Sequence, residues 1–263
     1  MIGQKNLLSI IDKQLSENSF PRFSIIIGSR GSESDKIGIH IAKYLGANCI
    51  NITDIKVDTI RTIIQESYKV STISVYNIIN ADGMSAQAQN SLLKVTEEPP
   101  NKAYFIMTLE DENNTLPTIR SRGTIYHCDN YTQDELMKYA EEKYGVFQYC
   151  GICDTPGEID LLYSMKADEF YDYVRKVADN ISTVSGSNAF KIADKIRFKD
   201  TDEGYDLILF WKIFQCISMD NEQYDRIRTT SAFLNLLRIK SINRAMLFDK
   251  WILEIRRLPD GDN

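Results

Sequence analysis

Phe23-Ser-Ile-Ile-Ile-Gly28-Ser-Arg-Gly31 runs from a short apolar segment straight into a turn built on two glycines. A brief apolar run without polar alternation reads as a strand buried on both faces, the kind a parallel sheet contains. The glycines then lead into a helix carrying Ile37, Ile41, Tyr44 and Leu45. Upstream, residues 4–16 place Leu7, Leu8, Ile11 and Leu15 at helical spacing, and Phe20-Pro21-Arg22 breaks that helix. Downstream, a second strand spans Asn48 to Ile52, and a helix follows from Asp58, read as its N-cap, to about Tyr68. It sets Ile60, Ile63 and Ile64 on one face. Ile73 to Ile79 is a third strand, and Ser85 caps a helix of about Ala86 to Thr96 that Pro99 and Pro100 stop. Ala103 to Leu109 and Thr124 to Cys128 complete five strands. Strands alternating with helices predict an α/β fold, a parallel sheet covered on both faces.

After Asp129 the pattern changes. Thr132-Gln-Asp-Glu135 has the form of a capping box and opens a helix to Lys143. Gly145, Gly151, Pro156 and Gly157 punctuate a small helical unit ending near Lys166. From Ala167 onward helical runs are expected at about 167–184, 205–219 and 222–257, the last broken near Lys240, and no strand. Leu234, Leu237, Met246, Trp251, Ile252 and Ile255 supply their apolar faces. The expected organisation is an α/β domain at 1–128, a small helical domain at 129–166 and an all-α domain at 167–263.

The 263 residues are 43% hydrophobic and 26% charged, ordinary for a globular chain of two or three compact units. A net charge of −6 provides no basic field, which argues against a free-standing nucleic-acid binder. No run of eighteen apolar residues occurs, and Met1-Ile-Gly-Gln-Lys lacks a signal-peptide pattern, so a cytoplasmic protein without membrane contact is expected. Five cysteines, Cys49, Cys128, Cys150, Cys153 and Cys216, suggest no disulfide framework. Cys150-Gly-Ile-Cys153 is a C-x-x-C, but a structural zinc site needs a second ligand pair, which only His127-Cys128 could offer. No zinc is expected.

Strand, glycine turn and helix form the layout of a phosphate-binding loop, whose working pattern is G-x-x-x-x-G-K-[ST]. Gly28-Ser-Arg-Gly31-Ser-Glu33-Ser34-Asp35 fits its first half and fails its second. Glu33 replaces the second glycine, Ser34 the lysine and Asp35 the hydroxyl residue. Lys36 lies one residue past the required spacing. Carboxylates at a helix N-terminus stabilise the helix but repel a triphosphate. Two unit charges about 4 Å apart interact by about 4 kcal/mol even at an effective dielectric of about 20.

Farther along stand Asn90-Ser-Leu-Leu-Lys, Glu97-Glu98-Pro99-Pro100 and Leu116-Pro-Thr-Ile-Arg-Ser-Arg-Gly123. Together they resemble the signature of bacterial DNA polymerase clamp-loader subunits, N-A-L-L-K-x-L-E-E-P-P followed by L-P-T-I-x-S-R-C. Phe20-Pro21-Arg22 is similar to that family's F-P-H-A, and Asp54-Ile-Lys-Val-Asp58-Thr-Ile-Arg61 to its D-I-x-V-D-x-I-R. Within the family the resemblance is to the delta-prime type, which does not itself hydrolyse ATP. It implies an AAA+-type sheet domain, a helical lid and a helical collar.

The resemblance also assigns residues. The family's acidic pair at the end of the third strand falls on Ile79 and Asn80, with Asp82 the nearest acid. Thr108 matches the sensor threonine, and Asp154-Thr-Pro-Gly157-Glu158 stands where active relatives carry a sensor arginine. With loop, acidic pair and arginine all altered, the expectation is that ATP is held by partner subunits and not by this chain. What remains is Arg122, with Ser121 and Gly123, as an arginine finger reaching a neighbour's ATP. Guanidinium suits this because it is always charged and presents a rigid donor fork. The competing reading pairs Arg122 with Glu97 or Glu98, and Arg120 is the nearest rival. The implied partners are gamma/tau and delta subunits, with sliding clamp and primer-template DNA reached through the complex. Two alternatives stand beside this: an ATP-hydrolysing gamma/tau-type subunit, and an AAA+-like adaptor outside replication.

Overall fold

A computed structural model describes residues 2–184, 188, 190–198, 204–237, 239 and 242–258. Two compact units result, Met1–Phe147 with Asp154–Gly157, and Gln148–Cys153 with Glu158–Asn263.

The first unit holds a five-stranded sheet of β1 (Phe23–Ile27), β2 (Asn48–Ile52), β3 (Ser74–Ile78), β4 (Ala103–Leu109) and β5 (Thr124–His127). Their order is β2-β3-β4-β1-β5, and every pairing is parallel. The expected α/β parallel fold is present. Around it lie α1 (Lys5–Ser16), α2 (Asp35–Leu45), α3 (Val57–Ser67), α4 (Ala86–Glu97), α5 (Pro117–Arg120) and α6 (Gln133–Tyr144). Alternation along β1 divides the core. Phe23 and Ile25 join a cluster with Ile60, Leu92, Phe105 and Ile119 from the α3–α5 side. Ile26 joins Leu7, Ile11, Ile37 and Ile41 from α1 and α2.

Helix caps largely follow the local sequence. Ser85 Oγ accepts from Ala88 N–H at 3.2 Å, and Thr132 with Glu135 forms the capping box of α6. Asp58 is not the N-cap of α3. Lys56 holds that position, and Asp58 lies in the first turn. The reason is the preceding Asp54, whose carboxylate accepts from Thr59 Oγ1 at 2.7 Å and Lys56 N–H at 3.3 Å and so starts the helix earlier. The Thr59 bond holds the Asp54 carboxyl below its usual range. Of the residues α2 carries, Ile37 and Ile41 are fully buried, whereas Tyr44 is 48% exposed near its end.

In the second unit, helices α8 (Ala167–Asn180), α9 (Leu207–Asp220), α10 (Tyr224–Leu236) and α11 (Arg244–Ile255) surround an aromatic core. Phe210, Trp211, Phe214, Phe248 and Trp251 are all fully buried there. Trp251 donates its indole N–H to Thr230 Oγ1 at 3.0 Å. The expected run at 222–257 is two helices, and the break proposed near Lys240 falls outside the described residues. Met246 is 69% exposed, and Leu247 and Phe248 provide the apolar face instead. The expectation of no strand after Ala167 is corrected. Ile196–Arg197 and Tyr205–Asp206 form a small parallel pair, β6 and β7, too short to show alternation.

Helix α7 (Pro156–Ser164) begins in the first unit and continues in the second. Its Glu158 accepts from Lys212 Nζ at 2.7 Å on both carboxylate oxygens, with side chains 13% and 16% exposed. Removing one member of a largely buried pair leaves a costly charge, whereas an apolar replacement of both does not. Lys212→Ala is expected to lower unfolding stability by about 3 kcal/mol, and Lys212→Met with Glu158→Leu by much less. Urea titrations of the three proteins check this.

Candidate functional site

The carboxyl end of β1 opens into the glycine loop, and the loop bonds to itself. Ser32 N–H donates to Ser29 O at 2.9 Å, Lys36 N–H to Glu33 O at 2.9 Å, and Ile37 N–H to Ser34 O at 3.2 Å. A phosphate cradle needs such N–H groups aimed outward. Glu33, in the place of the motif's second glycine, adopts a left-handed φ of 58°. That conformation suits glycine and is strained for glutamate. Its side chain is 9% exposed, with one oxygen bonded to Lys36 Nζ and the other, Oε2, buried without a hydrogen-bond partner. Asp35 opens α2, and its carbonyl accepts from the buried Asn77 amide at 2.8 Å. A Cβ on Gly28 would meet Ser32 Oγ at 2.4 Å and Cys128 Sγ at 2.9 Å, so side chains already crowd the loop.

The segment expected to lack a sensor arginine packs onto this loop. Gly157 N–H donates to Gly31 O at 3.0 Å. Thr155 Oγ1 donates to Arg30 O at 3.0 Å, and Tyr131 Oη to Ser32 O at 2.7 Å. Three successive loop carbonyls are thereby capped. Gly31 has φ 77°, and a Cβ built on Gly157 would stand 2.5 Å from Gly31 Cα. Two glycines are needed because two backbones touch. Burial pushes the Tyr131 phenol up to about 12 and the Cys128 thiol up to about 11, so both are neutral near pH 7.

Just past β3 stand Ile79, half-buried, and Asn80, exposed with a left-handed φ of 54°. Asn80 N–H donates to Thr108 Oγ1 at 3.0 Å, joining two of the assigned positions. Neither Ile79 nor Asn80 brings a carboxylate. Asp82 accepts from Glu110 N–H at 2.8 Å, Asp111 N–H at 3.2 Å and Asn114 Nδ2 at 2.9 Å. It ties two loops together, as a turn residue does.

Arg122 follows α5. Its Nε–H donates to Glu97 Oε1 at 2.9 Å, Nη2 bonds the same oxygen, and Nη1 donates to Thr118 O at 2.7 Å. Both side chains face solvent in part, 32% for Arg122 and 52% for Glu97. Ser121 donates to Thr118 O at 3.2 Å. A Cβ on Gly123 would meet Ile25 and Phe23 atoms at 2.9 Å, so those two core side chains fill the room a cysteine would take. Arg120 donates from Nη1 to Asn113 Oδ1 at 3.5 Å, the long end of the hydrogen-bond range.

One residue escaped the sequence reading. Gln89, 4% exposed, donates to Met84 O at 3.3 Å and Asn114 O at 3.0 Å, and accepts from Leu116 N–H at 2.7 Å. It pins α4 to the entry of α5 and so sets the base on which Arg122 stands. The available signal was an amide at helical spacing with Leu92 and Thr96, on the buried stripe of α4.

Among the described residues no group of three or more His, Cys, Asp or Glu could hold a metal ion, and no helix is long and apolar enough to cross a membrane. Cys150 and Cys153 are buried cysteines, joined in no disulfide, at a short turn.

Comparison with known proteins bears on this arrangement. A family described as "DNA polymerase III, delta subunit" matches residues 10–132. DNA polymerase III gamma subunits of two Buchnera aphidicola strains are 24% and 25% identical over 169 residues, covering 53% of this chain and 47% of theirs. This is homology to the DNA polymerase III clamp-loader subunits. The chain spans about half the length of the curated relatives it matches. An uncharacterized Mycoplasma pneumoniae protein is 46% identical over 48 residues, 18% of this chain and 19% of that one. The fold is shared with a DNA polymerase III gamma subunit-related protein of Thermotoga maritima. Their TM-score is 0.54 at 18% identity, over 93% of this chain and 97% of that one. The matched residues 10–132 include the sheet, the Gly28–Asp35 loop and Arg122.

Two outcomes follow for the loop. Gly157→Ala forces a Cβ into the Gly31 backbone, and overpacking of this kind costs about 1–3 kcal/mol. A lowered melting temperature is expected, measured beside the open-site control Gly151→Ala, where a Cβ meets nothing. Because folding holds the Cys128 proton, stability present at neutral pH is lost as pH rises from the unfolded thiol's ordinary value toward about 11. Cys128→Ala is expected to flatten that decline in denaturation curves taken across the interval.

Proposed function

We propose that this chain is a non-hydrolysing, delta-prime-like subunit of a DNA polymerase III clamp loader. It presents Arg122 to ATP held by a neighbouring subunit. The observation that carries this reading is the loop's second half, where a left-handed Glu33 stands in place of the second glycine and Ser34 and Asp35 in place of the lysine and hydroxyl residue. Arg30, Gly31 and Ser32 carbonyls are all occupied by Thr155, Gly157 and Tyr131. Glu33 and Asp35 put negative charge where a triphosphate would need cations, and Ile79 and Asn80 offer no carboxylate for magnesium. ATP would therefore be bound by partners, and this chain would be a pseudo-ATPase by itself.

A finger in trans stabilises charge spread over the transferred phosphoryl group and contributes about 10³–10⁵ in rate. Arg122 has the chemistry for this, and it stands just past α5, a short helix whose entry is held by Gln89. Partners under this reading are gamma/tau-type and delta-type subunits, with the sliding clamp and primed DNA reached through the assembly. The helices after Ala167 would form the collar, and residues 129–166 the lid.

A second reading is favoured by the relatives themselves. The curated proteins it matches over about half their length are gamma subunits, and a gamma-type chain would bind and hydrolyse ATP. Fluorescent ATP titrated onto the lone chain separates the two. No saturable binding is expected, and micromolar binding would move the assignment to the gamma type. In a loader reconstituted from the same source, Arg122→Ala is expected to lower DNA-stimulated ATPase at least about tenfold, or about 1.4 kcal/mol of transition-state stabilisation, at matched assembly. An unchanged rate would reduce the chain to a scaffold. Failure of the wild-type chain to join loader subunits would favour an adaptor outside replication.

A further inference from the structure

We infer that Glu97 is the positioning residue for Arg122, an inference that rests on the trans-acting role proposed above. Glu97 is the last residue of α4, and Arg122 lies just past α5. Their side chains meet because Gln89 joins those two elements through the carbonyls of Met84 and Asn114 and the N–H of Leu116. A long arginine side chain on a surface has many rotamers, and a group that must reach a phosphate gains from having them reduced beforehand.

The bonding pattern does this while leaving donors to spare. A guanidinium carries five N–H donors. Here Nε–H and one Nη2–H meet a single oxygen of Glu97, and one Nη1–H meets the Thr118 carbonyl. One N–H on each terminal nitrogen is left for a phosphate oxygen of a neighbour's nucleotide. The two tethers come from different elements, α4 and α5, so they fix the plane of the guanidinium as well as its direction. Glu97 is half exposed, and pairs of this kind contribute little to folding stability. Its effect should thus show in rate, with folding intact. Glu98, the other acid considered beside it, makes no side-chain bond to Arg122.

The test uses the reconstituted loader with wild-type, Glu97→Ala, Glu97→Gln, Arg122→Ala and the Glu97→Ala/Arg122→Ala double variant. Steady-state ATPase is read at matched assembly, and thermal unfolding of each lone chain verifies folding. Glu97→Ala is expected to lower kcat about tenfold with KM for ATP unchanged, since aim is lost and nucleotide binding is not. Glu97→Gln keeps an acceptor at the same place and is expected to recover most of the rate. The double variant is expected to match Arg122→Ala alone, because both act through one group. If Arg122→Ala slows the loader while Glu97→Ala does not, the positioning role is overturned and the finger stands. If Glu97→Ala speeds it, Glu97 is a restraint and the positioning role is again overturned. If Arg122→Ala changes nothing, the finger falls, and this inference with it.

Discussion

Strand β1 is hydrogen-bonded on both sides, to β4 and to β5, and the chemistry of the first unit is arranged around its carboxyl end. In a parallel sheet with both faces covered, side chains of the strands are committed to packing, and variation is confined to the loops where strands end. Ile25 and Ile26 are completely buried in opposite core clusters, so neither has freedom to serve a ligand. The next residues, Gly28 to Asp35, do have that freedom. Within this stretch Ser32 N–H bonds back to Ser29 O, and the carbonyls of Arg30, Gly31 and Ser32 accept from Thr155, Gly157 and Tyr131.

Arg122 is held in the opposite sense. Its tethers, Glu97 and the Thr118 carbonyl, lie in partly exposed positions, and it keeps unused donors. The same sheet thus supports one loop bonded from within the chain and one arginine that keeps donors to spare. They stand on different connections, the first on β1–α2 and the second on α5–β5, which allows each to change without disturbing the other.

Much of this was legible in the sequence because the strands and helices are long enough to show their periods. β1 and β4 lie at the expected bounds, and Ser85 and Thr132 cap as their side chains dictate. Misses came where a neighbour overrides a local rule. Asp58 resembles an N-cap until Asp54 claims the turn, and Gln89, a polar residue at buried spacing on α4, is accounted for only by its three backbone partners. The β6–β7 pair has too few residues to carry a period. For the site, the altered loop residues were visible as letters. Their closure by Gly157, which belongs to a segment more than a hundred positions away, was not. The partner of Arg122 was visible only as a choice between two adjacent acids, since a one-residue step at a helix end decides which carboxylate faces it.

Why the fold tolerates this loop is answered by where its stability resides. The two core clusters of the first unit draw on strands and helix faces, and neither includes a residue from Gly28 to Lys36. A bound nucleotide would add stability by mass action, but packing does not require it. The loop therefore needs only to satisfy its own polar groups, and the Thr155 to Gly157 segment does so from within the chain. Glu33 marks the remaining stress, a left-handed glutamate with one buried oxygen lacking a hydrogen bond. Such strain persists when surrounding contacts over-determine the backbone, and here the contact that does so is the backbone-to-backbone meeting of Gly31 and Gly157 two residues before it.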